Sequence, residues 1–278
     1  MVKIENNDAY CYKSGDGIWF TSDTHFGHDN IMRFCERPFS SSDEMNETLI
    51  KNWNDRVGKD DTVFHMGDFA FGSQKEWHEI LGRLNGHICL LRGNHDEKNL
   101  KRNAMYNKLE WVDYQMHIRI ENQWMYLNHF PFLCYAGTYR TGDSMVWELF
   151  GHVHSRPDGE GAGLDASRLE CLFPVQYDVG VDNNGFAPVS FHEVRDIIAR
   201  QRDEAAAMEE RLKESIARLR NIYAGRKVLR LDGTQFKSGK MENTVKDVMM
   251  HNYRRGAVAF TFEEDDSMVE PIFCINAC

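Results

Sequence analysis

Short runs rich in Val, Ile, Leu and aromatic residues recur between residues 17 and 154, as GIWFTSD, DTVFHMGD, HICLLRGNHD, WMYLNH and MVWELFGHVH. Continuous apolar runs of this length predict strands buried on both faces, as in the middle of a layered α/β fold. Helical spacing separates some of them. QKEWHEILGRL places Trp77, Ile80, Leu81 and Leu84 on one stripe, and EMNETLIKNWNDRV does the same with Leu49, Ile50, Trp53 and Val57, both stripes reading as core packing. Past residue 193 the pattern changes. Met208, Leu212, Ile216, Leu219 and Tyr223 form one face, with Glu209/Lys213 and Glu214/Arg218 spaced to pair, which predicts a long amphipathic helix over 194–223. It is too short for a convincing coiled coil, so it reads as packing on its own chain, with a homodimer seam as the other reading. The remainder predicts strand KVLRL, helix ENTVKDVMMHNY, then strands GAVAFTF and MVEPIFCI. The expected organisation is a main domain over 1–193, the helix or a linker over 194–225, and a small α+β module over 226–278.

Composition narrows the function classes. The chain has 278 residues, 42% of them hydrophobic and 12% aromatic, enough to bury a large core unaided. A formal net charge of -10 repels polyphosphate backbones at long range, so duplex nucleic acid is not an expected partner. The seven cysteines include no Cys-x-x-Cys pair, which excludes a zinc knot of that type and a regular disulfide framework and points to reduced thiols in cytoplasm. No stretch approaches the ~18 apolar residues of a membrane span, and the amino terminus does not read as a signal peptide.

The chemistry lies where the apolar runs end. Asp23 and His25, Asp68, Asn94 with His95 and Asp96, His129, and His152 with His154 each follow one of them. Ligands bind at the carboxyl edge of such sheets, so these clusters are expected to converge. Imidazoles, carboxylates and an amide oxygen suit Mn, Fe or Zn better than Cu(I) or an all-oxygen calcium site. The donors are too many for one closed site, and two metals sharing a carboxylate would use them all, a recurring arrangement for phosphoester cleavage.

Taken in order, Asp-x-His (23–25), Gly-Asp (67–68), Gly-Asn-His-Asp (93–96), a lone His129 and Gly-His-x-His (151–154) resemble the calcineurin-like metallophosphoesterase superfamily. SDTHFGHDNI, RPF, NWN, LRGNHD and VGVD are similar to its small bacterial and phage-type phosphoesterases, and the match runs from about 17 to 195. The resemblance implies a four-layer α/β/β/α sandwich with two facing sheets, to which the carboxy-terminal α+β portion is a small appendage. It implies that Asp23, His25, Asp68 and His154 hold one divalent metal and that Asp68, Asn94, His129 and His152 hold the other, manganese first, with iron or zinc as alternatives. It makes His95 the residue beside the scissile phosphate and Asp96 its orienting partner. One position departs: Phe71 stands where the family often has a second acid, and FAFG replaces the Asp-Arg-Gly of the protein-serine/threonine phosphatase branch.

The expected activity is phosphoester hydrolysis, most simply of a small or nucleotide-like phosphodiester. A metal-bridging hydroxide attacks phosphorus and His95 acts as general acid. Two other readings stand beside it: a nuclease on single-stranded ends, and a non-catalytic metal-binding scaffold. His28, Arg33, Arg37, Arg92 and Arg140 are candidate substrate contacts, arginines being able to clamp phosphate as forked donors. Tyr135 and Tyr139 are candidate base-stacking residues.

Overall fold

The computed structural model describes residues 10–100, 108–137, 140, 144–156, 169, 172–223, 228–231, 234–235, 258–262 and 268–272. By its contacts the chain divides into Met1–Ala199 and Arg200–Cys278.

The first unit is built on two five-stranded sheets. One contains β2 (Ile18–Thr21), β3 (Thr62–His65), β4 (His87–Leu91) and β5 (Leu109–Asp113), all parallel, with β10 (Val189–Ser190) antiparallel at the β2 edge. The other runs β1 (Tyr10–Tyr12), β6 (Gln115–Ile120), β7 (Gln123–Asn128), β8 (Trp147–Phe150) and β9 (Gln176–Asp178). Its β6–β7 pair is antiparallel and the other pairs are parallel. Alternation along the strands sends side chains to two cores. Ile18, Phe20, Phe64, Met66, Cys89 and Leu91 meet Ile118, Ile120, Met125, Leu127 and Leu149 between the sheets. Val63, Ile88 and Leu90 point the other way, into a cluster with the short helices α1 (Ile31–Phe34) and α4 (Glu97–Leu100) and the longer α2 (Ser42–Arg56) and α3 (Gln74–Arg83).

The two longer helices start where the sequence caps them: Ser41 accepts from Glu44 N, and Ser73 with Glu76 closes a capping box. The predicted stripes are buried at Leu49, Ile50, Trp53, Val57, Trp77, Leu81 and Leu84. Short strands β1, β5, β6, β9 and β10 have no counterpart among the predicted runs. Most alternate or sit at intermediate burial, so they lack the continuous apolar signal. The long helix α5 spans Phe191–Tyr223. It begins earlier than periodicity suggests because Ser190 and Glu193 exchange capping hydrogen bonds. In the second unit β11 (Val228–Leu231), β12 (Thr234–Gln235), β13 (Val258–Phe262) and β14 (Met268–Ile272) form one antiparallel sheet. The predicted helix ENTVKDVMMHNY lies outside the described residues. No described helix is long and apolar enough to cross a membrane.

One buried acid fastens a loop to this scaffold. Glu148 on β8 accepts from the Phe132 backbone N–H and the Gln176 amide, yet burial outweighs these donors and pushes its carboxyl up to about 8. The folded protein therefore keeps a proton that the unfolded chain has lost. Stability is fully present below the unfolded carboxyl pKa of about 4.5 and falls as pH rises towards about 8, by up to a few kcal/mol. Urea midpoints across that window should fall for the native chain and stay flatter for Glu148→Gln. Parallel curves would contradict the assignment.

Candidate metal centre

Strand register assembles the site. Thr21 pairs with His65 and His65 with Leu90, so β2, β3 and β4 end nearly level, and Asp23, Asp68 and Asn94 leave the sheet at one edge. On the facing sheet Leu127 pairs with Leu149, and Phe150 with Asp178, which brings out His129, His152, His154 and Asp182 together. Backbone bonds join the loops: Asp23 N to Gly67 O, His25 N to Asp68 O, Gly151 N to His129 O, and Val181 N to Ser22 O.

The backbone is held in an unusual state at these positions. Asp23 (φ 55°), His25 (49°), Asp68 (55°), His152 (71°) and His154 (49°) are left-handed. A non-glycine residue there costs about 1–3 kcal/mol, and such residues cluster at functional sites. The motif glycines permit close approach. A Cβ on Gly93 would collide with Asp68, and one on Gly151 with Ser22 Oγ and the Asp23 carboxylate.

The side chains converge on atoms that lack ordinary partners. His25 Nε2 lies 3.9 Å from Asp23 Oδ1 and 3.6 Å from Asp68 Oδ2; His154 Nε2 is 3.8 Å from Asp23 Oδ1, and His129 Nε2 is 3.6 Å from Asp68 Oδ2. These gaps are too long for hydrogen bonds. They approach the ~3–4 Å between two donors that each sit ~2.1 Å from a shared cation. Asp23 Oδ1 and both ring nitrogens of His25 are buried without a hydrogen-bond partner, a cost of about 1–3 kcal/mol per group. His129 adds a sharper test. Its Nδ1 faces the Met66 carbonyl at 2.8 Å and so donates, and burial pushes its pKa down to about 4. Nε2 is then a bare lone pair, 3.0 Å from the Asn94 amide oxygen, and a divalent cation could take both as ligands. Among the described residues three donor groups are compact enough to hold a metal, Asp23–His25–His154, Asp23–Asp68–His129 and Cys35–His154–Asp182; the first two share Asp23, and Asp68 Oδ2 stands between His25 and His129. The donors present therefore fit divalent cations.

The surroundings orient the donors. His154 Nδ1 contacts Asp182 Oδ2 at 2.8 Å. Burial would lower the His154 pKa, but the Asp182 bond and the Asp23 charge hold it well above the usual range. Burial would raise Asp182, but His154 and the Arg37 guanidinium hold it below the carboxylate range. Both effects favour positive charge on the His154 ring, from a proton or from a cation at Nε2. Asp182 is the residue that motif reading left without a role. Its signal in the sequence is the VGVD motif at 179–182.

Two expected roles change. Arg37 was a candidate phosphate clamp, but it is buried, and its donors are taken by both oxygens of Asp182, the carbonyls of Asp23 and Thr24, and Met45 Sδ. None is left for substrate, and a buried arginine serves as the forked partner of Asp182 instead. Asp96 was expected to orient His95. Its carboxylate instead accepts from the backbone N–H groups of Asp68, Phe69 and Gly93, so it ties the Asp68 loop to the Asn94 loop.

His95 stands on the open side, its side chain 46% exposed and its Nε2 3.9 Å from Asp68 Oδ2. Burial, with the charges of His154 and His152, holds its pKa below the usual range despite Asp23. A cavity of about 640 Å³ opens beside it, lined in part by Phe71, Asn94 and Lys98. His152 sits with its ring 5.1 Å from that of His129. His28 stacks on Phe71 at 3.8 Å, and Phe71 also packs against His25 and His95, giving ring contact but no acceptor where the family often has an acid. Arg33 is exposed over Phe34, Arg92 lies over Tyr114, and Arg140 is exposed on the loop after β7. Tyr135 is buried with its hydroxyl donating to Val146 O, so it offers no stacking face; Tyr139 lies outside the described residues.

Residues 17–171 match the family described as calcineurin-like phosphoesterase. An uncharacterised protein of Methanocaldococcus jannaschii is 50% identical over 82 residues, which is 29% of this chain and 47% of that protein. The chain thus spans about half the length of that relative. The gene 66 protein of Mycobacterium phage L5 is 32% identical over 163 residues, 49% of this chain and 77% of the phage protein. Among solved structures, a protein of unknown function from Aquifex aeolicus is 23% identical with a TM-score of 0.47, covering 65% of this chain and 98% of that one.

Proposed function

This chain belongs to the calcineurin-like phosphoesterase family, and from that premise we propose that it is a dinuclear-metal phosphodiesterase acting on a small or nucleotide-like diester. The observation that carries the reading is the convergence of metal-type donor atoms: Asp23 Oδ1 and His25 Nε2 are buried without a hydrogen-bond partner, and Asp68 Oδ2 lies 3.6 Å from both His25 Nε2 and His129 Nε2. Asp23, His25, Asp68 and His154 would hold one cation, and Asp68, Asn94, His129 and His152 the other, with manganese the first choice for such donors. When bound, the cations supply an acidified water and neutralise charge on phosphoryl oxygens.

The chain's own groups do the rest. His95 accepts no hydrogen bond from the donor residues and faces the cavity, where its imidazole can hand a proton to a leaving oxygen. Its backbone N–H, donating to Asp68 Oδ1 at 2.9 Å, fixes its place relative to the shared carboxylate. Two places would receive the organic groups of such a substrate: the cavity beside His95 and the exposed Phe130 face beside His152. A diester has two such groups and a monoester one.

The test is a manganese-supplemented comparison of bis-aryl and mono-aryl phosphates. Faster cleavage of the diester supports the reading, and a monoester preference, or a metal-loaded protein inert to both, overturns it. Asp182→Asn should weaken metal binding by about 10- to 100-fold, because an amide no longer holds the His154 Nδ1–H with a charged acceptor. Metal titration by calorimetry checks this; unchanged affinity would remove Asp182 from the account.

A further inference from the structure

Among the described residues four large apolar side chains are exposed: Phe34, Tyr114, Phe130 and Leu133. Phe34, Phe130 and Leu133 lie in segments that follow β2 and β7, two of the segments from which the candidate centre is built, whereas Tyr114 follows β5, which contributes no donor. Phe130 rests against the rings of His152 at 4.5 Å and His129 at 4.8 Å while remaining 44% exposed. On the other flank, Phe34 lies 6.4 Å from His28, itself 5.4 Å from His25. The Arg33 guanidinium sits 5.1 Å from the Phe34 ring centroid. One exposed ring, Phe130, therefore lies directly against donor residues, and the other, Phe34, reaches His25 through the His28 ring. Neither ring can bind a cation as a ligand, and neither is buried in a core.

An exposed ring with a guanidinium, placed beside a phosphate-handling centre, suits a flat heterocycle joined to phosphate: the heterocycle stacks, and the arginine pairs with phosphate oxygens. We propose that Phe130 and the Phe34–Arg33 pair are the specificity platform of this site and take the bases of a nucleotide-type phosphodiester. The inference rests on the phosphodiesterase reading above and names its substrate class. Net charge limits the length of that substrate. A chain at -10 repels long polyanions, so the fit is to a nucleoside ester or dinucleotide, not a duplex.

The experiment uses the full chain with manganese and two esters that share one leaving group, the p-nitrophenyl esters of thymidine monophosphate and of methyl phosphate. The nucleoside ester should have the higher kcat/KM, by about five- to a hundredfold, the range expected from stacking one base. Phe130→Ala and Phe34→Ala should each shrink that ratio through KM, not kcat, and Phe130→Trp should retain it. A ratio near unity in the native chain, or one unchanged in the double alanine variant, overturns the proposal. Should neither ester be cleaved, the phosphodiesterase reading fails separately. Calorimetric binding of thymidylyl-thymidine to the native chain and the double variant then decides the platform: weaker binding by the variant supports it, and equal binding overturns it.

Discussion

Asp68→Asn should abolish tight metal binding and turnover together, and raise the melting temperature of the metal-free protein. The Asp68 carboxylate is 2% exposed and sits 3.6 Å from both His25 Nε2 and His129 Nε2. Burial, followed by the charges of Asp23 and Asp96, pushes its carboxyl up to about 8, so without cations the folded chain must take up a proton there at neutral pH, which opposes folding. Asparagine keeps the shape and can still accept the His95 N–H, but it removes the charge that two cations would share. The metal-free variant should gain about 0.5–2 kcal/mol, as substitutions that relieve a costly functional group do, or roughly 2–4 °C per kcal/mol for a domain of this size. The native chain should gain about 2.7 kcal/mol when free metal is about 100 times the dissociation constant. Melting curves in chelator and in manganese, with metal content measured alongside, check both halves. A metal-replete variant with native turnover would contradict the shared-carboxylate assignment, and a lower melting point in chelator would contradict the cost assigned to Asp68.

His95→Ala should leave metal content intact and lower kcat by about 10²- to 10⁴-fold, the usual worth of a positioned proton donor. The separation is expected because the side chain makes no hydrogen bond to Asp68, whose Oδ2 lies 3.9 Å from His95 Nε2. Its backbone N–H, which does bond Asp68, survives in alanine. The loss should depend on the leaving group. A phenolate as stable as p-nitrophenolate needs little protonation, whereas an alkoxide needs it fully, so the defect should be smallest for the activated ester and largest for an alkyl diester. Equal losses across a leaving-group series, or loss of metal, would make His95 a structural residue.

The sequence made the clusters legible but not their internal wiring. Apolar runs ending in Asp, Asn and His showed which segments converge, because strands buried on both faces carry a continuous signal and their carboxyl ends share an edge. Register then did the assembling, at pairs such as Thr21 with His65 that no local pattern specifies. Arg37 was misread as a substrate contact because its partner Asp182 is 145 positions away, and sequence spacing cannot reveal that a guanidinium's donors are already taken. Asp96 was assigned to its neighbour His95, whereas its oxygens reach backbone groups on another loop as well as its own. Left-handed backbone at five of the donor positions was not predictable either, since Asp and His adopt it only where surrounding contacts impose it. The exposed rings are illegible for a related reason: Phe130 and Phe34 look like core residues until the fold leaves them 44% and 55% exposed among the described residues.

The most direct test counts ions against activity. Chelator-stripped protein is titrated with manganese while bound metal and hydrolysis of bis(p-nitrophenyl) phosphate are followed together. Two ions per chain should bind, with hydrolysis appearing as the second site fills. Full hydrolysis by the stripped protein, or saturation at a single ion with full rate, would contradict the paired-cation centre.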